Sequence, residues 1–94
     1  MKWGGKRTHI EAVRRYCQRT GAKFTANQPG QPDCVKGKEK IEVKAWKTGR
    51  CLDRWYYERE VKKGRTKIVA PCWSDWVAQQ AKKDGVKLEK FRDP

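Results

Sequence analysis

Pro32-Asp33-Cys34-Val35-Lys36-Gly37-Lys38-Glu39-Lys40-Ile41-Glu42-Val43-Lys44 is the stretch on which the reading of this chain turns. Gly37-Lys38 reads as a two-residue loop with glycine first, as a II′ turn requires. Ile41, Val43 and Ala45 alternate beyond it, which predicts a β-hairpin over roughly 33 to 46. The register follows: Lys36 pairs with Glu39, Val35 with Lys40, Cys34 with Ile41, and Asp33 lands opposite Glu42. Cross-strand partners have Cβ atoms about 5 Å apart, where like charges are destabilising. A divalent cation between the two carboxylates removes that repulsion. Glu42 and Lys44 are two apart, so their side chains leave the same face of the strand.

Two carboxylates and a lysine on one face are what metal-dependent phosphodiester hydrolysis needs. Mg²⁺ is a hard ion that takes carboxylates, a carbonyl and waters. It makes a bound water more nucleophilic and stabilises charge on phosphate. A lysine adds a point charge beside the attacked phosphoryl group or orients the water. The motif Pro32-Asp33 … Glu42-Val43-Lys44 resembles that of the PD-(D/E)xK nuclease superfamily. Within it the chain looks most like the small archaeal-type Holliday junction resolvases, with VRR-type nuclease domains second.

The resemblance implies an α/β restriction-endonuclease-like fold, with an αβββαβ core and a mixed central sheet flanked by helices. It implies Asp33 and Glu42 as metal ligands, with the Val43 backbone carbonyl as a third, and Lys44 as the catalytic lysine. Mg²⁺ is the implied cofactor, with Mn²⁺ as a substitute. Water would attack phosphorus in line and expel the 3′ oxygen, leaving a 5′-phosphate. A homodimer suits a branched DNA, because paired symmetric cuts need two sites about a two-fold axis. Resolvases of this type also use a glutamate on the first helix to complete the metal site. Glu11 stands where that residue belongs, and a capping-box role accounts for it equally. The chain is shorter than a usual resolvase domain. It has Asn27-Gln28-Pro29-Gly30-Gln31 where resolvases often carry a serine loop, and Ala45-Trp46 where Ser or Thr often follows the lysine. These departures bear on four-way-junction specificity more than on fold or metal chemistry.

Outward from the hairpin, Thr8-His9-Ile10-Glu11 reads as a capping box opening a helix, with Ile10, Val13, Tyr16 and Cys17 as its apolar stripe and Gly21 as its stop. Ala22 to Asn27 alternates as a first strand. Cys51 to Lys63 reads as a second helix with Leu52, Trp55, Tyr56 and Arg59 on one side. Thr66 to Ala70 is a short strand. Ser74 caps a third helix running to about Asp84, with Val77, Ala78 and Ala81 inward, and Val86 with Leu88 marks a last strand. The predicted order is α-β-β-β-α-β-α-β. Residues 1 to 7 read as a basic arm and 8 to 94 as one domain.

The chain has 24 Lys+Arg against 11 Asp+Glu, a formal net charge of +13. That balance favours a polyanion, and DNA is the first candidate partner. No stretch is apolar enough to span a bilayer, no small-molecule cofactor is signalled, and Met1 to Arg7 lacks the apolar region of a secretory signal, so a cytoplasmic location is expected. Lys6, Arg7, Arg14 and Arg15 are candidate phosphate contacts, and Trp46 is a candidate for stacking on a base, although packing explains it too. Trp55, Trp73 and Trp76 read first as core or dimer contacts. His9 receives no role. Cys17, Cys34, Cys51 and Cys72 contain no CxxC or CxH pair, which argues against structural zinc. Reduced thiols are expected, with disulfides the alternative if the source is hyperthermophilic. Two rival functions stand beside the nuclease. One is a non-catalytic basic nucleic-acid-binding protein on the same fold. The other, weaker, is a redox or metal protein built on the cysteines.

Overall fold

The hairpin forms in the expected register. In the computed structural model, which describes residues 3–46 and 49–92, Cys34 pairs with Ile41, Val35 with Lys40 and Lys36 with Glu39. Gly37 takes φ 61° and Lys38 keeps a negative φ, the signature of a II′ turn. The strands are β2 (Cys34–Lys36) and β3 (Glu39–Val43). Asp33 sits just before β2 and Lys44 just after β3. A short β1 (Lys23–Phe24) pairs antiparallel with β2.

The remaining elements alternate helix and strand. Helix α1 (Trp3–Thr20) precedes the hairpin, and α2 (Arg54–Lys62), β4 (Lys67–Ala70), α3 (Asp75–Asp84) and β5 (Lys87–Lys90) follow it. Strands β4 and β5 run parallel to β3, and the sheet order is β1-β2-β3-β4-β5. The protein is therefore a mixed α/β fold with a five-stranded mixed sheet and three helices, in the element order expected. Asp53 caps α2 through the Tyr56 amide, and Ser74 caps α3 through that of Val77. Gly85 ends α3 in the left-handed conformation, φ 73°.

Alternation along the strands divides the core into two layers. Ile41, Val43, Ala45 and Val69 pack with Ala12, Val13, Tyr16 and Cys17 of α1. Ile68 and Ala70 point the other way and pack with Leu52, Tyr57, Val77 and Ala81 beneath α2 and α3. Glu42 and Lys44 alternate with Ile41 and Val43, so they face the α2 layer.

Three expectations are corrected. The first helix starts at Trp3, not Thr8. A cap signal is local, and a threonine inside a helix costs only about 0.7 kcal/mol at most, too little to enforce a start. The inward residues of α2 are Tyr57 and Glu60, whereas Trp55 is 56% exposed and belongs to no core cluster. Trp73 and Trp76 do pack partly buried against the α2–α3 layer. The cysteines are not reduced: Cys17 bridges to Cys34 and Cys51 to Cys72, and among the described residues no cysteine is free. Folding brings their Cα atoms to 5.8 and 4.6 Å, within disulfide range. No helix among the described residues is long and apolar enough to cross a membrane.

Candidate active site

The Pro32-Asp33 backbone is fixed from two sides. The buried Thr25 hydroxyl donates to the Pro32 carbonyl at 2.6 Å, and the Thr25 amide donates to the Asp33 carbonyl at 2.9 Å. The Cys17–Cys34 bridge ties the next residue to α1. Asp33 then extends its carboxylate along the hairpin, where Oδ2 accepts the Val43 amide proton at 2.9 Å. An extended residue carries its N–H and C=O on the same edge, so the Val43 carbonyl also faces the β2 side.

Glu42 is 15% exposed and stands between cations. Its Oε1 lies 3.2 Å from Arg65 Nε, and its Oε2 lies 3.6 Å from Lys44 Nζ. Burial, then the Asp33 charge, then the Glu60 charge push its pKa up to about 7, against the pull of Lys44 and Arg65. Burial also raises Asp33, opposed by the Val43 hydrogen bond and the Lys44 cation. Burial and the neighbouring carboxylates thus favour the protonated form of the Asp33–Glu42 pair.

Two charged residues at the centre of the site carry no signal that local reading picks up. Glu60, only 2% exposed, comes down from α2 so that Lys44 Nζ donates to its Oε2 at 2.9 Å. Its Oε1 is buried without a hydrogen-bond partner and lies 3.8 Å from Arg65 Nε. Arg65, 8% exposed, opens the approach to β4 and also donates to the carbonyls of Lys63 and Gln31. One guanidinium thereby joins the Asn27–Gln31 loop, the α2–β4 turn and Glu42. The only sequence cue for Glu60 is its spacing: three residues after Tyr57, it falls on the inward stripe of α2.

A groove of about 650 Å³ opens beside the carboxylates, lined by Gln28, Gly30, Asp33, Glu42, Lys63 and Arg65 among others. It is open to solvent on one side of the sheet and has cations along one wall.

The other candidates are distributed as follows. Glu11 is exposed and lines a separate depression with Ile10, Arg14 and Arg15, away from the groove that holds Asp33 and Glu42. Arg14 stacks its guanidinium 4.9 Å from the Phe24 ring centre. The side chains of Lys6 and Arg7 lie outside the described residues, as do Lys47 and Thr48 of the expected strand break. Trp46 is half-buried and meets Tyr56 edge-on at 5.3 Å. His9 is the α1 residue that feels the site: partial burial and the Lys44 cation hold its pKa below the ordinary value, while Glu42 opposes them.

Among the described residues, no three His, Cys, Asp or Glu side chains gather into a metal-ion cluster. Asp33 and Glu42 form a two-carboxylate donor set with the Val43 carbonyl beside it. Mg²⁺ is commonly held by one or two carboxylates together with waters and substrate phosphates, so this donor set fits it. Comparisons with family models, curated proteins and solved structures return no match to the chain.

Proposed function

We propose that this protein is a Mg²⁺-dependent DNA endonuclease of the PD-(D/E)xK type, with a restriction-endonuclease-like arrangement of its mixed sheet. The observation that carries this reading is the convergence of Asp33, Glu42 and Lys44 on one sheet face, with Asp33 and Glu42 lining a groove that Lys63 and Arg65 also line. Asp33 and Glu42, with the Val43 carbonyl, would hold the metal, with Mn²⁺ as a substitute. When bound, the metal supplies Lewis acidity and a more nucleophilic water. Lys44 holds a positive charge beside Glu42 and orients the attacking water. Lys63 and Arg65 line the groove as positions for a phosphate of the strand.

The substrate is DNA, of branched form in the resolvase-like reading, with a homodimer supplying two symmetric sites. Linear, nicked or flap DNA belongs to the VRR-like variant of the same chemistry. A cytoplasmic enzyme carrying two disulfides fits a hyperthermophilic source, where intracellular bridges persist.

A second reading has its own support. Lys44 and Arg65 already neutralise Glu42, so the carboxylates work equally well as internal partners in a non-catalytic basic nucleic-acid-binding protein.

A labelled four-way junction and its matching linear duplex, incubated with Mg²⁺, Mn²⁺ or EDTA, separate the readings. The nuclease cuts only with metal, and Asp33→Ala or Glu42→Ala abolishes cutting while leaving DNA binding nearly intact. Paired cuts confined to the junction establish the resolvase-like form. Binding without cleavage under every metal condition establishes the binder.

A further inference from the structure

The Lys44 ammonium lies 5.5 Å from the centre of the Tyr56 ring, and from there a row of aromatic rings leads outward. Tyr56 meets Trp46 at 5.3 Å and Trp55 at 4.8 Å, both edge to face. Guanidinium groups lie over the rings: Arg50 stands 5.4 Å from the Trp46 ring centre and 5.9 Å from that of Tyr56, and Arg59 stands 4.7 Å from that of Trp55. The row ends at Trp55, 56% exposed at the first turn of α2. Its exposed ring offers a flat apolar surface to an occupant.

The flanking charge selects that occupant. A second copy docked on this face about a two-fold axis would set Arg50 and Arg59 against their own equivalents, on a chain whose net charge is already +13. A nucleic-acid strand brings the opposite charge and flat rings together. Bases stack on exposed aromatics whatever their sequence, while cations follow the backbone. A base inside a duplex has both faces covered, so only unpaired nucleotides offer this fit.

Building on the nuclease reading, we propose that Trp55, braced edge-on by Tyr56, forms a stacking platform for unpaired nucleotides next to the cleavage site. The substrate class is therefore DNA with a single-stranded segment adjoining duplex, such as a flap, a splayed arm or an opened junction.

Binding in EDTA tests this without any cleavage, so the platform and the nuclease chemistry fail separately. Fluorescence anisotropy would compare a short labelled oligothymidylate, an abasic oligonucleotide of the same length and a blunt duplex, each with the wild-type chain, Trp55→Ala and Trp55→Phe. Trp55→Ala is expected to weaken oligothymidylate binding about 5- to 150-fold, the range for losing one stacked base. It should leave abasic and duplex binding unchanged, and Trp55→Phe should recover most of the loss. Thermal melting confirms that each variant folds. Equal wild-type affinity for the thymidylate and abasic strands overturns the proposal, as does Trp55→Ala with unchanged thymidylate binding. Self-association that Trp55→Ala abolishes assigns the face to a second copy and overturns it as well.

Discussion

Lys44 lies nearer to Glu60 than to Glu42: its Nζ is 2.9 Å from Glu60 Oε2 and 3.6 Å from Glu42 Oε2. The site lysine is therefore held from above by a helix residue, and its position depends on a carboxylate that the groove does not expose. Glu60→Gln keeps the shape and removes the charge. It is expected to lower single-turnover cleavage at least tenfold at near-constant DNA affinity, because Lys44 collapses onto Glu42. Breaking a buried ion pair costs about 3–5 kcal/mol, and Lys44 retains Glu42 as a partner, so the loss in urea denaturation should fall at or below about 3 kcal/mol. Cleavage unchanged in Glu60→Gln would remove the positioning role.

In the proposed metal site, proton and metal compete for the Asp33–Glu42 pair. Glu42 goes from an ordinary 4.5 to about 7 in the fold. A carboxyl with a raised folded pKa contributes stability below its unfolded value, and that contribution is lost as pH rises through the folded value. In EDTA the melting temperature should therefore fall between pH 6 and pH 8 by an amount that Glu42→Gln largely removes. On the proposed reading Mg²⁺ binds the ionised pair, and it should then raise the melting temperature more at pH 8 than at pH 6. An Mg²⁺ effect independent of pH, or equal in Asp33→Asn, would disconnect the ion from this pair.

The two disulfides differ in access. Cys17 and Cys34 are fully buried, whereas Cys51 is exposed. Graded reductant followed by thiol counting should release Cys51 and Cys72 first, with Cys17 and Cys34 protected until the fold opens. Each bridge closes a loop worth about 3 kcal/mol by chain entropy. Replacing Cys17 and Cys34 with alanine should lower stability by about that much and, on the proposed reading, weaken Mg²⁺ binding, because the bridge anchors Cys34, the residue after Asp33. Replacing Cys51 and Cys72 should cost stability alone. Simultaneous release of all four thiols under mild reductant would contradict this order.

What could be read from the chain follows the range of the interactions involved. The hairpin register was legible because turn chemistry and alternation are local, and they place Asp33 opposite Glu42 without reference to the rest of the fold. The helix and strand sequence was legible for the same reason, from caps at Ser74 and stops at Gly21 and Gly85. Glu60 and Arg65 were not. Each reaches the site across a helix-bearing crossover, and among 24 basic residues no local rule tells which cation will meet which carboxylate. Trp55 was misplaced because Leu52, Trp55, Tyr56 and Arg59 fit a helical stripe. The helix begins only at Arg54 and turns Tyr57 and Glu60 inward instead. Glu11 carried two sequence readings, a cap and a ligand. Helix α1 starts upstream of it and leaves it on an exposed face.

In this sheet every strand lies beside its neighbour in sequence, β1 through β5. The order of assembly follows from that. The N-terminal hairpin can zip locally, closing only a short loop, and local closure is fast. It brings Asp33 to Glu42 while the only cations at hand are the hairpin's own lysines, Lys40 and Lys44 among them. Arg65 and Glu60 arrive later, with the β4 crossover that must close a loop of some two dozen residues. The two acids therefore meet before their guanidinium does, and for that interval the nascent hairpin carries its strongest internal repulsion. A dissolved divalent ion available at that stage would act as a folding aid, easing the step on which the sheet's parallel half is laid down.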